Sequence, residues 1–335
     1  MPDDSIRPKA PAQPDFRPPG LLRNRHIQSV MTQAPWRRGR ARANATAMLD
    51  RAQTEILDCG DDVRLQGHLS RADNERGLVV LLHGWEGSAD SSYVLSAGAA
   101  LFGAGFSVYR LNLRDHGDTA GLNRELFHSC RIDEVVGAIR AITALHSSRR
   151  FAIVGQSLGG NFALRVAARA ADAGIRLDRV IAICPVLQPR HTMQALDRGP
   201  WFYRRHFLNR WRRSLSAKAE AFPDYYEFGD LGRFETLTAM TAFFVDRYTE
   251  FDGLDRYLNG YALVGRALDS LACACRIVLA SDDPIIPIAD LEEISRPSGL
   301  QVDIAAFGGH CGFVDRIAGS SWIDREIVAD LERLG

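Results

Sequence analysis

The hydrophobic pattern alternates between two periods along most of the chain. Residues 77–82 (GLVVLL) are apolar at every position after the glycine, as in a strand buried on both faces. Such runs predict strands over 54–58, 63–69, 77–83, 106–112, 151–155, 179–184, 275–280 and 300–306. Between them, helical spacing predicts helices over 92–103, 131–146, 158–173, 287–295 and 321–333. Strand–helix alternation with short connections implies an α/β architecture, with a mostly parallel eight-stranded sheet flanked by helices. The first two strands have no helix between them and predict an antiparallel hairpin at one edge.

The alternation stops between about residues 188 and 272. Aromatic and arginine residues recur there at helical spacing, from Trp201 and Phe202 through Phe207 and Trp211 to Leu215. A plain connection of that length is unusual in a compact fold, so this stretch is expected to be an inserted helical cap. Its stripe reads as cap packing, with arginine stems over apolar surface, or as a lipid-facing surface. Residues 1–20 are proline-rich and are expected to be an extended or disordered leader. The remainder, 21–335, is expected to form one domain.

Charge and composition narrow the classes. The 41 basic and 41 acidic residues cancel, which gives no footprint for nucleic acid. No secretory signal or membrane-length apolar run is present, which predicts a cytoplasmic location. The six cysteines (Cys59, Cys130, Cys184, Cys273, Cys275, Cys311) lack metal-site spacing and read as reduced thiols. No metal or cofactor is expected; Gly103 and Gly105 lack the rest of a dinucleotide fingerprint.

The candidate chemistry lies at Gly155-Gln156-Ser157-Leu158-Gly159, between a predicted strand and a predicted helix. Glycines allow a sharp strand-to-helix turn that exposes a serine hydroxyl as a nucleophile; an ordinary structural turn is the simpler alternative. A hydroxyl nucleophile needs a base, and the base needs an orienting acid. On doubly wound sheets with this turn the acid and then the histidine follow the serine. His310, in the glycine-rich loop 307–310, is the histidine beyond the candidate acid loop 281–287 (SDDPIIP). Two carboxylates compete in that loop. Asp283 fits the Asp-x-(Ile/Val)-(Ile/Val)-Pro pattern as the acid, leaving Asp282 as a turn or capping residue. The backbone N–H groups of Leu158 and of Trp85, in the loop 83–87 (HGWEG), are the expected oxyanion donors. His83 and His26 read as structural braces. Asp115 and His116 read as a solvated loop, with substrate contact as the alternative.

These motifs together resemble the YheT-like branch (AB hydrolase 4) of the α/β-hydrolase superfamily. The resemblance spans about residues 20–318 and includes Arg25-His26-Ile27-Gln28-Ser29, LLHGWEGSADSSYV, FHSCRIDEVV, VGQSLGGNFALR, FLNRWRRSLSAK, SDDPIIP and GGHCGFVD. It implies the α/β-hydrolase fold and a serine esterase with Ser157, Asp283 and His310 as its catalytic triad. The implied substrates are small-molecule esters with short- to medium-chain acyl groups, lipid esters included. The loop 114–118 and the cap's end at 255–261 depart from the family pattern, so the substrate is less defined than the chemistry. An acyltransferase using the same acyl-enzyme, and a non-catalytic binding protein on the same fold, are the alternatives.

Overall fold

The structure, a computed structural model, describes residues 11–32, 34–316 and 320–334. Eight strands form one sheet: β1 (Ala52–Asp58), β2 (Arg64–Ser70), β3 (Leu78–Leu82), β4 (Ser107–Leu111), β5 (Phe151–Gln156), β6 (Arg179–Ile183), β7 (Ala274–Ala280) and β8 (Leu300–Ala305). Their order is β1-β2-β4-β3-β5-β6-β7-β8. The expected hairpin is present: β1 pairs antiparallel with β2, and β2 antiparallel with β4. From β4 to β8 every pairing is parallel.

The all-apolar strands are covered on both faces by different helices, as their sequence requires. On β3, Leu78, Val80 and Leu82 join the core beneath α5 (Ile132–Leu145) and α6 (Leu158–Ala167). Val79 and Leu81 join the opposite core, beneath α4 (Ser92–Gly103) and α11 (Trp322–Glu332). Strand pleating sends successive side chains to opposite faces, so one pentapeptide serves both layers.

Three helices fall outside the predicted alternation: α1 (Arg25–Met31), α2 (Pro35–Asn44) and α3 (Thr46–Leu49). They are short, and α2 is rich in arginine, so its apolar stripe reduces to little more than a buried Ala41. In the expected leader, residues 1–10 lie outside the described residues. From Ala12 the chain runs extended beside β8, with the Ile304 amide donating to the Ala12 carbonyl at 2.9 Å. Phe16 packs against Phe313 and Trp322. Two predicted helices are shorter than their periodicity suggests. The one at 158–173 ends at Ala167, and that at 287–295 is a single 3-10 turn, Ile288–Glu292.

Between β6 and β7 the chain forms α7 (Pro189–Arg198), α8 (Trp201–Ala221), α9 (Leu237–Tyr248) and α10 (Leu254–Asn259). The end of α8 is fastened to the body by Lys218, whose side chain is 0% exposed. Its ammonium donates to Asp115 at 2.7 Å and to the carbonyls of Ala120 and Asn123. Among the described residues no helix is long and apolar enough to cross a membrane.

Removing one partner of a buried ion pair strands the other charge. Lys218→Met is therefore expected to destabilise the protein by about 3–5 kcal/mol, read as a lowered denaturant midpoint in an equilibrium unfolding curve. Retention of the wild-type midpoint would show that α8 is held by apolar packing alone.

Candidate active site

Ser157 stands between β5 and α6 with φ 54° and ψ −120°. A non-glycine residue in that region costs of order 1–3 kcal/mol and persists only where its surroundings enforce it. Here they do. A Cβ on Gly155 would lie 2.2 Å from the Gly159 carbonyl oxygen, and one on Gly159 would lie 2.3 Å from that of Leu82. Both flanking glycines are thus required by close backbone approach, and the Ser157 amide is fixed to the Ile183 carbonyl at 2.9 Å.

The fold brings together the three side chains singled out along the sequence. The Ser157 hydroxyl lies 3.0 Å from His310 Nε2, and His310 Nδ1 lies 2.9 Å from Asp283 Oδ2. With Nδ1 carrying the proton toward Asp283, Nε2 is free to accept from the hydroxyl. Asp283 Oδ1 accepts the amides of Ile285 and Ile286 at 2.8 and 3.0 Å, which fixes the carboxylate's orientation. Asp282 instead anchors the histidine loop, its Oδ1 accepting the Gly309 amide at 2.9 Å. Burial disfavours the His310 imidazolium, but Asp283 and the neighbouring Cys311 outweigh burial and hold its pKa well above the ordinary value.

Helix α1 supports that loop from below. The Ser29 hydroxyl accepts the His310 amide at 2.8 Å, and Gln28 Oε1 accepts the Val314 amide at 2.8 Å. Gly309 has φ 53°, and a Cβ there would sit 2.3 Å from the Arg25 carbonyl oxygen. His26 reaches the other way, its Nδ1 3.2 Å from the Tyr203 hydroxyl on α8. His26 is thus structural, as expected, but it joins α1 to α8 rather than tying the leader to the body, and the supporting roles of Ser29 and Gln28 are not predicted. Their signal was the Arg25–Ser29 block, whose partners lie some 280 positions away.

The loop 83–87 approaches Ser157 closely: a Cβ on Gly84 would lie 3.2 Å from the serine Cβ. Its shape is set by the Tyr93 hydroxyl, which accepts the Gly84 amide at 2.8 Å. The His83 ring adds a brace, with Nδ1 2.8 Å from the Gly84 carbonyl and Nε2 accepting the Leu113 amide at 3.1 Å. No hydrogen bond engages the Trp85 or Leu158 amides among the described residues. Preorganised, unengaged donors of this kind suit a developing oxyanion.

Asp115 and His116 do not form the solvated loop expected of them. Both are drawn inward: Asp115 by Lys218 and the Phe127 amide, His116 by hydrogen bonds with the Arg114 carbonyl and the Glu86 amide. Glu86 is buried as well, which pushes its pKa up to about 7, and its Oε2 accepts from the Ser214 hydroxyl on α8.

Ser157 and His310 open onto a cavity of about 550 Å³ beneath the β6–β7 insertion. Its walls are mainly apolar and include the aromatic side chains of Trp85, Phe127, Phe207, Trp211, Phe244 and Tyr248. Trp85 stacks on Phe207 with centroids 5.4 Å apart and meets Trp211 edge-on at 5.4 Å. The aromatic stripe of α8 therefore turns partly inward, while Trp201 at its start is 63% exposed.

Residues 77–316 match the family described as alpha/beta hydrolase fold, and the chain belongs to that family. No curated protein sequence matches it. Among solved structures it is similar to the Pyrococcus furiosus esterase Pf2001, at 13% identity and a TM-score of 0.56 over 95% of this chain and 99% of that one. It is also similar to a serine hydrolase of the polyaromatic-hydrocarbon-degrading bacterium Cycloclasticus zankles. There the identity is 17% and the TM-score 0.56, over 84% of this chain and 99% of that one. A third is a membrane phospholipase A described as a bacterial virulence factor, at 16% identity and a TM-score of 0.55 over 92% of both chains. At such identities the likeness is one of fold.

Two buried histidines near the cavity make acid stability predictable. Burial is the main cause that lowers His116 to about 4 and His128 to about 3, from 6.5. Below pH 6.5 the unfolded chain takes up protons that these folded imidazoles refuse, so stability falls as pH drops. The melting temperature is expected to decline from pH 7 to 4. His128 packs edge-on against Phe251 and Tyr257, and His128→Phe should flatten that decline; an unchanged slope would rule out its contribution.

Proposed function

We propose that this protein is a serine hydrolase of carboxylic esters, from the YheT-like branch of the superfamily. The observation that carries the reading is the hydrogen-bonded chain Ser157–His310–Asp283 opening onto an aromatic cavity. Ser157 Oγ attacks the ester carbonyl while His310 Nε2 takes its proton. Asp283 holds the imidazole through Nδ1–H and stabilises the imidazolium that forms. The Trp85 and Leu158 amides bind the oxyanion, each such donor contributing about 3–4 kcal/mol to the transition state. His310 then gives its proton to the departing alcohol. Water, deprotonated by the same imidazole, cleaves the acyl-enzyme and restores Ser157.

The cavity's size and aromatic walls support an ester with an apolar acyl or alcohol part, of short to medium chain length or lipid-like. In this reading the β6–β7 insertion, about 188–272, acts as a cap. It holds the apolar part of the substrate through α8 and α9, while the sheet side supplies the reacting groups.

Ser157→Ala is expected to lower kcat on short p-nitrophenyl esters by about 10⁴–10⁶-fold, and Asp283→Asn by about 10⁴-fold. Circular dichroism checks that both variants are folded. A fluorophosphonate should label wild-type Ser157 and not the alanine variant. Activity surviving in Ser157→Ala, or folded wild type left unlabelled, would overturn the reading. Across a graded ester series, Trp211→Ala should raise KM most for the longer acyl chains.

A further inference from the structure

The six cysteines lack metal spacing along the chain, yet the fold brings two of them to the candidate base. Cys184 directly follows β6, and Cys311 directly follows His310. Cys184 Sγ, Cys311 Sγ and one His310 ring nitrogen all lie within 4.8 Å of one another. Cys311 Sγ is 3.9 Å from His310 Nε2, the nitrogen that faces Ser157. Both cysteines are free thiols, and His310 and Cys311 line the cavity, which gives an ion a way in.

A tetrahedral Zn²⁺ ion has bonds of about 2.3 Å to sulfur and about 2.0 Å to imidazole nitrogen. Those lengths place sulfur and nitrogen ligands about 3.5 Å apart, within a few tenths of an ångström of the 3.9 Å between Cys311 Sγ and His310 Nε2. Two thiolates and one imidazole favour a soft or borderline cation over Mg²⁺ or Ca²⁺. The surroundings suit a ligand histidine too: Nδ1 is already held by Asp283 at 2.9 Å, the carboxylate–histidine–metal arrangement that fixes a ring for coordination. Water is the usual fourth ligand of a site with three protein ligands.

We propose that Cys184, Cys311 and His310 Nε2 form an inhibitory site for a thiophilic divalent cation, with Zn²⁺ the fitting ion. Binding releases two thiol protons to solvent; the six-coordinate aqueous ion gives up five waters, gains two sulfurs and a nitrogen, and becomes four-coordinate. No oxidation is involved. The ion occupies the lone pair that would accept the Ser157 proton, so the hydroxyl loses its base. The inhibition rests on the esterase reading above; the coordination does not.

The test uses chelator-treated, phosphine-reduced full-length protein. Co²⁺ should produce a near-ultraviolet thiolate-to-metal charge-transfer band that Zn²⁺ abolishes on displacement. Zn²⁺ should inhibit p-nitrophenyl ester hydrolysis and slow fluorophosphonate labelling of Ser157, with both restored by EDTA. Cys311→Ala, at the cavity wall, should lose the band and require at least about 10–100-fold more Zn²⁺ for the same fractional inhibition, each protein being compared with its own zinc-free rate. Cys184→Ala should behave likewise, with its fold checked by circular dichroism. A wild-type protein without the Co²⁺ band, or equal zinc sensitivity in Cys311→Ala, overturns the site. If the protein has no esterase activity, the Co²⁺ band and its displacement still read the site, so the two failures are told apart.

Discussion

The site depends on a backbone held where it would not rest alone. Ser157 sits at φ 54° because β5 must turn into α6 within one residue while packed against β3 and β6. Gly155 and Gly159 remove the side chains that would block this turn, and the Ile183 carbonyl holds the serine amide. The cost, of order 1–3 kcal/mol, is offset by the strand pairing and by α6, whose residues are all buried. The helix that buries this apolar surface also presents the Leu158 amide beside the serine hydroxyl. Stability and reactivity therefore share one junction.

From that junction the site is assembled by loops whose constraints come from elsewhere in the chain. The His310 loop is gripped on one side by Asp282 and Asp283, after β7, and on the other by Ser29 and Gln28, on α1. The loop 83–87 is braced by Tyr93 and by the neutral rings of His83 and His116. Burial keeps those two imidazoles uncharged, so near neutral pH they act as fixed donor–acceptor bridges. Lys218 and Asp115 then fasten the end of α8, which carries the aromatic wall of the cavity. Lys218 and Asp115 serve as a tether, and the cavity beside Ser157 is left largely apolar.

Much of the sheet was legible because its central strands are buried on both faces. A run such as 77–82 fits a strand covered on both faces, and its flanking glycines mark the turns. The helices α1–α3 were not legible. Their buried positions are few, and the partners of α1, Gly309 and Val314 among them, lie hundreds of residues away. Asp115 and His116 looked like solvated loop residues because sequence cannot show Lys218 arriving from α8 or the Glu86 amide meeting the His116 ring.

By itself the sequence determined the local chemistry of each piece: an exposed serine at a glycine-flanked turn, a carboxylate in an Asp-Pro-Ile-Ile loop, and a histidine among glycines. Their chain order and the strands that carry them follow from hydrophobic periodicity and turn preference, which act over a few residues. The tertiary structure alone decided which groups meet. It turned Phe207 and Trp211 onto Trp85 and brought Cys184 beside Cys311. Such contacts depend on how the sheet stacks and where the β6–β7 insertion lands. Those outcomes come from burying two apolar faces at once, a long-range condition that no short segment of sequence contains.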